Sequence, residues 1–357
     1  MRVQPLSPLV GSRLHAVNMD RNLRDLDGNI MDTGNSFLFT TTTTADTQPP
    51  HVTRMSPPNG STGVGLNAQV HASFDEPMNP VSIVVDAASG GTLFWTDNNR
   101  DLRIVWQEQY PASAEITESV EPAQDFGGNA VAAPFSSTFT TGEGPDLTFA
   151  VLLDLTPFQS ATNVPVNALL RAVVNEQVDP ITVNATSVRL QDAGATLSST
   201  ATLEPDGRSI SIVPAQPLPA NRTINFNFTG VRDLASNFLP QQSPSFTTAS
   251  AADTQPPTIA STTVLDGQTG VALNTSLQVL FDEAVNSQKL GGIVLKRGGQ
   301  PVAATLELSS DHRTVTFKLA QPLAPNTTHT IEIAGVQDLS GNGLSPVAIT
   351  FTTGTHF

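Results

Sequence analysis

The chain has 357 residues, a formal net charge of −15, and charged residues at only 14% of its positions. Seventeen Lys plus Arg against 32 Asp plus Glu supply no clustered basic face, which excludes a nucleic-acid partner. There are no cysteines, so disulfides and thiolate metal sites are excluded, and no apolar run approaches the roughly 20 residues that a membrane-spanning helix needs.

Thr, Ser, Asn, Pro and Gly fill the places that charge leaves. No long stretch sets apolar residues at i, i+3, i+4 and i+7, so the pattern predicts strands and turns rather than helices. The length exceeds what one sandwich core needs, and several domains are expected. Residues 1–11 lack the charged start and apolar core of a signal peptide.

In chain order, residues 1–45 carry only a closing motif, Asp25-Leu-Asp-Gly-Asn29, and a strand ending in Phe-Thr-Thr from Phe39. They read as the C-terminal part of a truncated repeat, and the sequence as a fragment of a longer chain. Residues 46–143 open on Asp46-Thr-Gln-Pro-Pro50 and turn at Gly63-Val-Gly-Leu-Asn67. They continue through Phe74-Asp-Glu-Pro-Met-Asn79 and close on Asp125-Phe-Gly-Gly-Asn129 and Phe139. Residues 145–250 repeat the order with Asn163-Val-Pro-Val-Asn167, Val174-Asn-Glu-Gln-Val-Asp179, Asp233-Leu-Ala-Ser-Asn237 and Phe246. Their linker, Gly142-Glu-Gly-Pro-Asp146, lacks the double proline and is expected to be less stiff. Residues 253–357 carry Asp253-Thr-Gln-Pro-Pro257, Gly270-Val-Ala-Leu-Asn274, Phe281-Asp-Glu-Ala-Val-Asn286, Asp338-Leu-Ser-Gly-Asn342 and Phe351.

Within the copies, apolar residues alternate as half-buried strands require. Leu277, Val279 and Phe281 form one such face, Val315, Phe317 and Leu319 a second, and Ile331 with Ile333 a third. Ile210 and Ile212, then Ile224, Phe226 and Phe228, do the same in the middle copy. The closing motifs lie about 100 residues apart, the length of one two-sheet sandwich, with no room for parallel crossover units.

These motifs together resemble the bacterial Ig-like repeats named after the S-layer protein SbsA. The resemblance runs almost end to end over 253–357 and at both ends of 46–143, and covers 145–250 except at the linker. It implies an all-β chain of tandem immunoglobulin-like β-sandwiches, about seven strands each, arranged as beads on a string with limited bending. It also implies an extracellular or cell-surface location. His329 and Ile224 stand where the family often carries a tyrosine, so that hydrogen bond is expected to be missing.

Calcium is the one candidate cofactor, and none is required. Its hard oxygen ligands would come from the linker residues Asp46 and Asp253 and from the pairs Asp75 with Glu76 and Asp282 with Glu283. The competing reading makes these residues turn formers and proline-stiffened linkers. Asn175 replaces the Asp in the middle copy, which weakens any site there. The Asp-x-x-Gly-Asn motifs read as turns, since their ligand spacing is not that of a twelve-residue calcium loop.

No catalytic residue stands out. Six histidines (His15, His51, His71, His312, His329 and His356) are scattered, and neither a nucleophile elbow nor a phosphate loop occurs. Trp106 alternates with Leu102 and Ile104 toward a core, which leaves Trp95 as the candidate saccharide platform. The expected role is a non-catalytic spacer array in a bacterial cell-surface or secreted protein, with adhesion as a further possibility. The expected partners are other domains of the same longer chain and a cell-surface or matrix polysaccharide or protein. The alternative is a carbohydrate-binding or accessory region of a secreted polysaccharide-degrading enzyme.

Overall fold

In the last repeat Leu277, Val279, Phe281, Val315, Ile331 and Ile333 of the alternating runs are fully buried, and Leu319 at the end of its run is half-buried. Period-two burial is what a strand with one face on a core requires. The computed structural model describes residues 5–19, 22–30, 34–83, 90–120, 123–132 and 136–355, and His356 lies outside them. Apart from a single 3₁₀ turn at Ser287–Lys289, every regular element among the described residues is a strand.

Strands β1 (Leu14–Met19) and β2 (Asn35–Thr40) form an antiparallel hairpin. In the first complete module, β3 (Val52–Ser56), β4 (Val70–Phe74), β5 (Thr92–Thr96) and β6 (Asp101–Val105) make a sheet in the order β3-β4-β6-β5. A second hairpin, β7 (Glu115–Ser119) with β8 (Ser136–Thr140), closes it.

The second module contains β9 (Leu152–Thr156), β10 (Leu170–Val174), β11 (Val188–Asp192), β12 (Ala195–Leu197), β13 (Ser199–Leu203), β14 (Ser209–Pro214), β15 (Thr223–Phe228) and β16 (Ser245–Thr247). Its two sheets run β13-β14-β10-β9 and β12-β11-β15-β16.

The third module adds β17 (Ile259–Thr262), β18 (Gln268–Val271), β19 (Gln278–Phe281), β20 (Ile293–Arg297), β21 (Gln300–Pro301), β22 (Ala304–Leu308), β23 (Thr314–Leu319), β24 (Thr328–Ile333) and β25 (Val347–Thr353). Its sheets run β17-β19-β23-β22 and β18-β25-β24-β20-β21. Short additions such as β12 and β21 raise the expected seven strands to eight and nine. In this module β18 lies parallel to β25, so the Gly-rich turn pairs with the last strand. The same parallel contact is a single bridge in the earlier modules, Val64 to Thr141 and Val164 to Thr248.

Each module owns a core. Phe226 packs on Phe228 and Phe246 in the second, at ring separations of 6.2 and 5.5 Å. Phe281, Phe317 and Phe351 anchor the third. Met55, Phe74, Met78 and Leu102 anchor the smaller core of the first.

The modules also grip one another. Leu234, from the closing loop of the second module, packs with Val64, Ala68 and Phe139 of the first. Leu339, its counterpart in the third, joins the core of the second. Their carbonyls accept from the Gln69 and Leu169 amides across the joints, at 3.2 and 2.8 Å. At the first joint the His71 ring meets Asp179 at 2.8 Å, and at the second the Ser287 hydroxyl donates to Asp154 at 2.6 Å.

Candidate metal centre

The closing loops are built alike. In each, the aspartate Oδ1 accepts the amide of the asparagine four residues on, and its Oδ2 accepts that asparagine's side-chain NH₂. The distances are 2.9 and 2.8 Å for Asp125, 2.9 and 2.9 Å for Asp233, and 2.8 and 2.7 Å for Asp338. The residue before the asparagine takes a left-handed conformation, φ +87° at Gly128 and +90° at Gly341, and Ser236 adopts φ +74° there. Asp125, Asp233 and Asp338 are buried to 1% exposure. Asp25 makes the same bonds in the N-terminal hairpin.

The asparagine side chain turns the loop toward the linker. Asn129, Asn237 and Asn342 donate to the backbone carbonyls of Asp46, Asp146 and Asp253, at 3.3, 3.3 and 3.4 Å. From the other side, Asn67 and Asn167 of the preceding modules bracket the backbones of Asp146 and Asp253. Each donates to the aspartate carbonyl and accepts its amide, within 2.7–2.8 Å. The linker aspartate is therefore held by both neighbours.

This geometry brings three carboxylates together at each of three places: Asp46, Glu76 and Asp125; Asp146, Glu176 and Asp233; Asp253, Glu283 and Asp338. In every set, one ligand atom from each residue lies within 4.8 Å of the others. Burial, then repulsion from the neighbouring carboxylates, pushes Glu176 up to about 7 and Glu283 up to about 8. Glu76 is raised for the same reasons. Burial also raises Asp233. Among the described residues no Lys or Arg forms an ion pair with any of the nine.

Three acidic side chains held against one another offer hard oxygens, the donor set that suits calcium, and at the middle set Arg208 offsets only part of the repulsion on Glu176. Glu176 Oε1 is buried without a hydrogen-bond partner of good geometry. Clefts of about 100 and 580 Å³ open beside the second and third sets, walled partly by the turns of the preceding modules at residues 62–65 and 160–165.

A family model described as the bacterial Ig-like domain matches residues 46–141, 148–248 and 253–353. The chain belongs to this family. No curated protein matches this sequence. Among solved structures, the N-terminal part of the bacterial S-layer protein SbsC is 12% identical, with a TM-score of 0.25 over 57% of this chain. This chain spans 44% of that one. SbsC domains 1–6 give 12% identity and a TM-score of 0.21, covering 87% of this chain and 55% of that one. The I67–I69 fragment of titin gives 8% and 0.19, covering 87% and 100%.

Of the candidate residues read from the sequence, the Ig-like modules bring Asp46 together with Glu76, and Asp253 with Glu283. Asp75 and Asp282 stand outside the triads. Asp75 accepts the His51 amide at 2.8 Å and Asp282 the Thr258 amide at 2.7 Å, which tethers the end of the linker to the end of β4 and of β19. Asn175 does this work in the middle copy, accepting the Val151 amide at 2.7 Å. Replacing Asp by Asn there spares the triad altogether.

Asp125, Asp233 and Asp338 read in the sequence as turn residues, which they are, and the fold also sets each beside a linker aspartate and a glutamate, the middle copy included. A signal was present: the glutamate after the variable Asp/Asn position recurs as Glu76, Glu176 and Glu283. The Asp146 joint, expected to be looser, makes the same bonds as the Asp253 joint. Trp95 packs against the first core, stacked on Phe74 at 6.1 Å. The outward ring on that strand is Phe94, with Arg103 over it at 5.1 Å.

Proposed function

We propose that this Ig-like array is a non-catalytic spacer of a bacterial cell-surface or secreted protein, and that its joints are fixed by calcium. The observation that carries this reading is the linker aspartate. At Asp146 and Asp253 its backbone is bonded to the modules on both sides, while its carboxylate stands in a triad with two carboxylates of the following module. A cation held there neutralises the mutual repulsion and ties the linker to the loop that grips the preceding module. Spacing follows from repetition, since each module buries its own core and length grows with copy number.

The motif resemblance to SbsA-type repeats supports exposure outside the cell, where millimolar calcium suits sites of modest affinity. The test is small-angle scattering of the whole chain in calcium and in chelator. The expected result is an elongated particle whose distance distribution is narrow with calcium and broadens without it. A compact particle, or one indifferent to chelator, would refute the reading.

A further inference from the structure

The hairpin β1–β2 repeats the register of the closing hairpins: His15 faces Phe39 as His329 faces Phe351 and Ile116 faces Phe139. Yet Phe39 is 41% exposed, where Phe139, Phe246 and Phe351 are each at 1%. Phe37 is also exposed, whereas its counterpart Ile349 is buried. A second surface is uncovered in the same way. Phe126 corresponds to Leu234 and Leu339, which are 8% and 5% exposed in their joints, but Phe126 itself is 66% exposed.

We infer that the β1–β2 hairpin and the Phe126 loop together form an acceptor for the front half of an Ig-like repeat, a piece equivalent to residues 253–323. The intact modules show what covers each surface. Phe351 shares its core with Val271, Leu277, Val279 and Phe317 of the front half, while His329 stacks on it at 5.5 Å as His15 does on Phe39. Leu234 is packed by Val64 and Ala68 from the front half of the module before it, together with Ile116 and Phe139 of the closing hairpin. One front half thus covers Phe37, Phe39 and Phe126 at once. A second copy pairing hairpin to hairpin would bury Phe39 and leave Phe126 bare. The inference depends on module architecture and is independent of calcium.

The test joins a copy of residues 253–323 to the N-terminus of the full chain and follows hydrogen exchange by mass spectrometry. The expected outcome is that amides of residues 36–41 slow at least a hundredfold, toward the rates of residues 136–141. Peptides containing Phe126 should slow with them. Phe39→Asp in the extended chain should abolish the new protection and leave residues 136–141 unchanged. Unaltered exchange in the extended chain would overturn the inference. So would an unextended chain that already protects residues 36–41 and has twice the expected mass by light scattering.

Discussion

Leu339→Ala tests the interlocking of modules, because this residue is encoded in the third module and buried in the core of the second. A fully buried leucine side chain is worth about 1.5–3 kcal/mol, and truncation inside a core costs about 2–5 kcal/mol. The joint borders solvent, so water can fill part of the space, and a loss of about 2 kcal/mol is expected. That corresponds to an undocked population roughly 30-fold larger. The reporter is the Leu169 amide, which donates to the Leu339 carbonyl across the joint at 2.8 Å. It should exchange with solvent about 30-fold faster in the variant, while β24 in the third core keeps its wild-type protection. In calorimetry the second module's transition should fall by on the order of 10 °C. Unchanged exchange at Leu169, with faster exchange in β24, would show that Leu339 serves its own module and would refute the interlock.

Three further outcomes follow from the triads and loops. Glu283→Gln should remove calcium-dependent stabilisation of the third module, whereas Asp282→Asn should leave calcium dependence intact; melting with and without chelator separates the two. In chelator, the proton held by Glu283 stabilises the fold fully below the unfolded value of 4.5, and this contribution is lost as pH rises toward about 8. Melting across that range should therefore show a decline that Glu283→Gln lacks. Ser236→Gly relieves a left-handed serine and should stabilise the second module by about 0.5–1 kcal/mol, measured by denaturant unfolding.

The fold was legible because its signal is redundant. Leu277, Val279 and Phe281 announce a strand by alternation, and the same positions recur in register in two further copies. The triads were harder to read, since each draws on three segments far apart in sequence, as Asp146, Glu176 and Asp233 are in the middle set. Asp338 looks like a turn residue because it is one: both its oxygens already hold Asn342. Only folding places that loop beside Asp253 and Glu283. The pair Asp282 and Glu283 misled for a simpler reason. Neighbours on an extended chain point to opposite sides, so one serves the linker and the other the triad. Trp95 followed the same rule, turning inward while Phe94 faces out.

Native mass spectrometry of the full chain titrated with calcium tests the joint mechanism most directly. Three bound ions are expected, with Glu76→Gln, Glu176→Gln and Glu283→Gln each removing one. A chain that takes up no calcium, or takes it up equally in all three variants, would contradict the assignment.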